Sequence, residues 1–189
     1  MKTKKIIITA LFAALTCVAT MIVKIPTPTM GYIHPGDAIV LLSGFILGPV
    51  YGGLAAGIGS AFSDLFSGYV TYVIPTFLIK AITAILAVNI ARGITKVVLS
   101  KGEEKKNHLL ILAIITGGIA GEAFMVFGYF VFEIFMLGLA TGEGLTAATI
   151  SSGAIASLEG VPFNIIQGVF GVVVSSIIYP FVYKVYTEE

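Results

Sequence analysis

Long apolar blocks, separated by short clusters rich in proline, glycine or charge, run the length of this chain. The first block, about Lys4–Val23, is long enough for one membrane-spanning helix, which takes about 20 residues. It follows a basic start, as in a signal peptide, but has no clear small-residue cleavage site and is read as span 1. Lys24–Pro35 then holds Pro26, Pro28 and Pro35, which a regular helix interior excludes, so it is a structured loop. Asp37–Leu47 and Val50–Phe66 are two short apolar segments broken at Gly48-Pro49, a tight helical hairpin forming spans 2 and 3. Gly68–Tyr72 is a turn, Val73–Val98 span 4, and Ser100–His108 a charge-dense solvated loop. Span 5 covers Leu109–Leu137. Gly138–Gly160, rich in small and hydroxyl residues, reads as a loop carrying a short surface helix, and Val161–Tyr183 is span 6.

Composition sharpens this pattern. Of 189 residues 57% are hydrophobic and 11% charged, against about 25% charged in soluble domains, and the mean hydropathy is +1.03. The expectation is an all-α integral membrane protein, a single domain over 1–189 with six transmembrane helices and no room for a soluble catalytic or nucleotide-binding domain. Eleven Lys and Arg nearly cancel ten Asp and Glu, which gives no electrostatic footprint for nucleic acid. Cys17 is alone, so no internal disulfide forms, and no Cys/His spacing suggests a metal.

Charge sets the expected orientation. Six spans put Lys2, Lys4, Lys5, Arg92, Lys96, Lys101, Lys105, Lys106 and Lys184 on one side and only Lys24 in a loop on the other. By the positive-inside rule both termini are cytoplasmic. The proline-rich loop, the 68–72 turn and the 138–160 loop then face outward, where a ligand would be held.

Charged groups at membrane depth are costly and are functional candidates. They are Asp64, Lys80, Glu122 and Glu133, joined by the amides of Asn89, Asn164 and Gln167. Lys80 admits two readings, a ligand contact or an internal ion pair with Asp64 or Glu122. Glu133, near the outer end of span 5, and Asn164, in the first turn of span 6, border one outward cavity. Gln167 shares a helix face with Asn164 at an i+3 spacing. Tyr32, Tyr72 and Tyr129 are the candidate stacking partners, and together these groups suit a flat heterocycle. Small residues at four-residue spacing, Gly44/Gly48/Gly52, Gly53/Gly57 and Gly117/Gly121, permit close helix approach. Two other classes compete. A self-sufficient homo-oligomeric secondary transporter or channel would use Lys80 and the carboxylates as a relay, but the halves show no inverted repeat. An intramembrane enzyme would need Ser60 or Ser63, and neither lies in a GxSxG elbow.

Four stretches carry a family resemblance: Tyr32-Ile-His-Pro-Gly-Asp-Ala38, Gly44-Phe-Ile-Leu-Gly-Pro-Val-Tyr-Gly52, Gly59-Ser-Ala-Phe-Ser-Asp64 and Pro75-Thr-Phe-Leu-Ile-Lys80. In this order, and over essentially the whole chain, the sequence resembles the substrate-binding S component of energy-coupling factor (ECF) vitamin transporters. It is most similar to the riboflavin-type and hydroxymethylpyrimidine/pyridoxine-type subgroup. The resemblance implies a subunit of the bacterial plasma membrane that captures a water-soluble vitamin from outside. It would work with a transmembrane coupling subunit and two ATPases, in a cycle in which the S component topples in the bilayer. ATP is used by those partners, and this chain binds no cofactor. In the family the loop after span 1 and the outer parts of spans 4, 5 and 6 line the site, in agreement with Tyr72, Lys80, Glu133, Asn164 and Gln167. Ala10 and Ala14 match the span 1 motif that contacts the coupling subunit. The absence of Trp argues against a tryptophan-rich thiamine pocket and points first to a pyridoxine- or hydroxymethylpyrimidine-like ring, then to riboflavin.

Overall fold

The computed structural model describes residues 2–100 and 106–188. Helix α1 (Lys2–Ile22) leads into a two-stranded antiparallel hairpin, β1 (Ile25–Pro26) and β2 (Tyr32–Ile33), with Ile25 opposite Ile33 and Pro26 opposite Tyr32. Helices α2 (Asp37–Leu47) and α3 (Pro49–Phe66) follow, then a 3-10 turn at Val70–Tyr72, α4 (Val73–Ser100), α5 (Lys106–Leu139), α6 (Ala147–Ser157) and α7 (Val161–Glu188). Apart from the hairpin strands every element is helical. The proline-rich loop thus has more order than its composition suggests. Pro26 fits because it lies in an edge strand of a two-residue pair, where a missing N–H is tolerated. The turn is closed by Thr27 N–H donating to the Gly31 carbonyl at 2.9 Å. Of the charged loop expected at 100–108, residues 101–105, with Lys101 and Lys105, lie outside the described residues.

Among the described residues four helices are long and apolar enough to cross a membrane: Thr3–Ile22, Val70–Val97, His108–Leu139 and Val161–Thr187. The segments counted as spans 2 and 3 differ in kind. Eleven residues make α2 only about 16 Å long at about 1.5 Å per residue. Ten of its residues are buried, walled in by α1, α3, α4 and α7. Helix α3 carries Gly52, Gly53, Gly57 and Gly59, which lower its hydropathy and let neighbours approach. The outside of the bundle is apolar instead of polar: Ile6, Leu11, Val18, Ile74, Phe127, Ile166 and Phe181 are all exposed. A soluble monomer rarely presents so much contiguous apolar surface.

The α2–α3 corner turns on Gly48, whose φ of 85° lies in the left-handed region that favours glycine. Immediately beyond it, a Cβ on Gly52 would overlap the Ser43 carbonyl and the Gly44 backbone, so the two helices touch main chain to main chain. On the far side of α4, a Cβ on Gly117 of α5 would overlap the Ala87 carbonyl. These contacts give physical content to the glycine spacings in the sequence.

One polar tie joins three helices. Asp37, the first residue of α2, is fully buried and accepts both Lys80 Nζ of α4, at 2.6 and 2.8 Å, and Gln167 Nε2 of α7, at 2.7 Å. This corrects the expected pairing of Lys80 with Asp64 or Glu122. Asp64 instead accepts the Tyr32 hydroxyl at 2.8 Å. Asp37 escaped notice because the sequence places it at a loop–helix boundary, where a carboxylate is ordinary; the fold draws that boundary inside.

Two stability predictions follow from the packing. Removing one member of a buried pair strands the other charge and costs about 3–5 kcal/mol. Lys80→Met should therefore lower the thermal midpoint followed by circular dichroism in detergent. The double variant Asp37→Leu/Lys80→Met should recover much of the loss. Gly52→Leu should be destabilising by about 1–3 kcal/mol or more through overpacking. Gly93→Ala, where an added Cβ meets nothing within 4 Å, should leave stability unchanged or raise it by up to about 1 kcal/mol.

Candidate ligand-binding site

The end of the bundle where α1, α3 and α5 finish and α2, α4 and α7 begin collects the polar side chains. There the β1–β2 hairpin folds across the helix ends. A narrow cavity of about 20 Å³ lies beneath it, room for about one water molecule. The hairpin supplies Thr27, Gly31 and Tyr32, and the segment after it His34; Asp64 comes from the last turn of α3, Tyr72 from the 3-10 turn and Thr76 from α4. Tyr129 and Glu133 come from successive turns of α5, Asn164 and Gln167 from α7.

Hydrogen bonds close the hairpin over this cavity. Thr29 Oγ1 donates to Glu133 Oε1 at 2.9 Å, and the Tyr72 hydroxyl donates to the Thr29 carbonyl at 2.7 Å. His34 N–H donates to Gln167 Oε1 at 2.9 Å, and Lys24 Nζ to Ser67 Oγ at 2.9 Å. Thr76 and Tyr129 share a hydroxyl–hydroxyl bond of 3.0 Å. Two buried acceptors, Asp64 Oδ2 and Glu133 Oε2, have no hydrogen-bond partner among the described residues. In the presence of a ligand such oxygens are places for a donor, because an unsatisfied buried acceptor is unfavourable. Aromatic rings form one wall: Tyr32 and Tyr69 have centroids 4.6 Å apart, and Tyr72 meets Phe132 at 5.1 Å.

Electrostatics fixes the state of the loop groups. Burial pushes His34 down to about 3, with Asp37 pulling it up and Lys80 pushing it further down. It is a neutral imidazole whose Nδ1 accepts the Gly36 N–H at 3.1 Å. Burial also pushes the Tyr32 hydroxyl up, assisted by the charge of Asp64, so Tyr32 remains a donor at neutral pH.

The structure brings Tyr32, Tyr72, Tyr129, Glu133, Asn164 and Gln167 together around this cavity. Lys80 does not line it. It is fully buried, bound to Asp37, with its Nζ 5.2 Å from the centroid of the Tyr129 ring. Asn89 is exposed on α4, away from the cavity. Residues the sequence reading passed over are Thr27, Thr29, His34, Asp37 and Thr76. Asp37 gave only an indirect signal, in that one buried ammonium requires some carboxylate; nothing local marked this one as buried. Thr29 and Thr76 had none, because threonines are common throughout the chain.

Ala10 and Ala14 lie on the opposite kind of surface. They are exposed on α1 and line a wide apolar groove against α3, with Ala13, Cys17, Leu54, Ile58 and Phe62. Among the described residues no group of three or more His, Cys, Asp or Glu could hold a metal ion. The cavity combines hydroxyls, amides, carboxylates and rings, a set that recognises a polar aromatic solute.

Comparison with known proteins places this architecture. Over 113 residues the chain is 34% identical to an uncharacterised protein of the gap 3' region in Pyrococcus woesei, a stretch covering 59% of this chain and 66% of that one, just under two thirds of its length. The fold is similar to a solved S component of a bacterial ECF transporter, with a TM-score of 0.58 and 23% identity over 100% of this chain and 98% of that one. The profile of the family described as ECF-type riboflavin transporter, S component, matches residues 1–186. The chain therefore belongs to the ECF-type riboflavin transporter S component family, whose members are substrate-binding transport subunits and not enzymes.

Proposed function

We propose that this chain captures riboflavin from outside the cell and holds it in the cavity beneath the β1–β2 hairpin. The observation that carries this reading is the convergence of Tyr32, Tyr72, Tyr129, Glu133, Asn164 and Gln167 from separate elements onto one closed polar cavity. The family description favours a flavin over the pyridoxine-like ring suggested by the sequence. An isoalloxazine ring offers a flat face for the tyrosines and an edge of donors and acceptors for Asn164, Gln167 and the free oxygen of Glu133. Lys80 and Asp37, behind the cavity wall, hold the Gln167 amide in its orientation. Entry requires the hairpin to lift, which breaks the bonds of Thr29 to Glu133 and Tyr72, and the narrow cavity to widen around the ligand.

In the proposed orientation α1, α4, α5 and α7 cross the cell membrane, the α2–α3 hairpin reaches in as the two shorter members of the expected six, and both termini lie in the cytoplasm. Lys4, Lys5, Arg92, Lys96 and Lys184 lie at the end of the bundle opposite the cavity, as the positive-inside rule requires of a cytoplasmic face. The Ala10/Ala14 groove is the proposed contact for a transmembrane coupling subunit. Its small side chains let a partner helix approach closely. ATP hydrolysis belongs to two partner ATPases.

These two surfaces should separate by mutation. Titration of riboflavin into the purified chain, read by quenching of flavin fluorescence, should show binding weakened by about tenfold or more in Asn164→Ala and Glu133→Ala, the effect of losing a buried hydrogen bond of about 1–3 kcal/mol. Both variants should still assemble with the coupling subunit. Ala10→Trp and Ala14→Trp should bind riboflavin as the wild type does and fail to copurify with that subunit. Equal loss of both properties in both classes would overturn the division of roles, and tighter binding of pyridoxine than of riboflavin would overturn the substrate.

A further inference from the structure

Glu122 takes no part in the cavity, and its surroundings are unusual for a carboxylate. It lies on α5 about three turns deeper than Glu133, is 4% exposed, and neither of its oxygens has a hydrogen-bond donor among the described residues. Helix α7 makes room for it with two glycines. A Cβ on Gly168 would stand 3.0 Å from Glu122 Cβ. A Cβ on Gly171 would stand 3.4 Å from Glu122 Oε1 and 2.9 Å from Asp37 Cβ. Glu122 and Asp37 thus flank one point on α7. Two ionised carboxylates this close repel, and a proton on one of them relieves the repulsion.

The charge count around the pair points the same way. Asp37 faces Lys80 of α4, Gln167 of α7 and the neutral His34 of the loop. Lys80, the only cation in the cluster among the described residues, is engaged by Asp37 and can balance one carboxylate only. A second bare carboxylate here would be an uncompensated buried charge, which is strongly unfavourable. On its other side Glu122 forms part of the wall of an apolar groove between α5 and α7, with Ile119, Val126, Ile165 and Val169. Ile119, Ile165 and Val169 are exposed on the apolar outer surface, where acyl chains would lie.

We propose that Glu122 is a proton-binding site inside the membrane, a carboxylic acid held protonated beside Asp37 and reached from the lipid side through the α5–α7 groove. It goes beyond the riboflavin reading and does not depend on it. Such an acid is a modification site for apolar carbodiimides. The carboxyl proton passes to a nitrogen of the reagent, and the carboxylate oxygen adds to its central carbon to give an O-acylisourea. Migration of the acyl group from oxygen to nitrogen then gives a stable N-acylurea. The whole reagent is retained, nothing leaves, and no co-reactant is needed.

The test uses the full chain in lipid nanodiscs, treated in parallel with dicyclohexylcarbodiimide and with a water-soluble carbodiimide, followed by peptide mass mapping. The apolar reagent should add its full mass to Glu122, and the soluble one should spare Glu122 while modifying exposed Glu143 and Glu159. Glu122→Gln, which keeps the size of the side chain but not its acid, should lose the adduct. Absence of an apolar-reagent adduct on wild-type Glu122 would overturn the proposal, as would labelling of Glu122 by the soluble reagent to the same extent. The wild-type comparison stands even if the variant fails to fold.

Discussion

The fully buried contact between Asp37 and Lys80 is the constraint around which the polar half of this molecule is arranged. A charge pair without water is tolerable only if its geometry is good and its remaining valences are used. Here the ammonium reaches both carboxylate oxygens, and Gln167 donates to one of them. Gln167 then has its amide oxygen free to accept the His34 N–H, so the loop position is referred back to the ion pair. Three helices and the segment closing the cavity are thereby fixed by one set of hydrogen bonds.

Around this centre the protein inverts the usual distribution of residues. Its outside is apolar and its polar groups are gathered at one end and along the helix contacts. Glycines at those contacts let main chains meet, which suits a setting where van der Waals packing replaces much of the hydrophobic driving force between helices. The β1–β2 hairpin gives the polar end its cover. It is tied by side-chain hydrogen bonds to Glu133, Tyr72 and Ser67, contacts weak enough to break singly and sufficient together to close the site.

Most helix limits were legible in the sequence because their signals are strong and local. Gly48-Pro49 ends one helix and starts the next, and the prolines at 26, 28 and 35 forbid a helix between α1 and α2. The short surface helix within 138–160 is α6, whose Thr146 caps it in a reciprocal box with Thr149. The difference between α2 and a longer span was not legible, since an apolar run looks the same whether it faces lipid or protein; only the packing of α2 among its neighbouring helices tells them apart. In the site, Glu133, Asn164 and Gln167 stood out because polar groups are rare at that depth. The partner of Lys80 did not, because a carboxylate at a helix start carries no sign of burial, and the hairpin contacts of Thr29 depend on a long-range fold that no local pattern encodes.

The most direct measurement is the small-molecule content of the chain purified alone in detergent, by absorbance and mass spectrometry. A capture subunit with its own closed site should carry a flavin near one per chain, or take up riboflavin to that ratio when it is added, with no ATPase or coupling subunit present. A helical, monodisperse chain that carries no vitamin and takes up neither riboflavin nor a pyridine or pyrimidine vitamin on titration would contradict capture by this subunit.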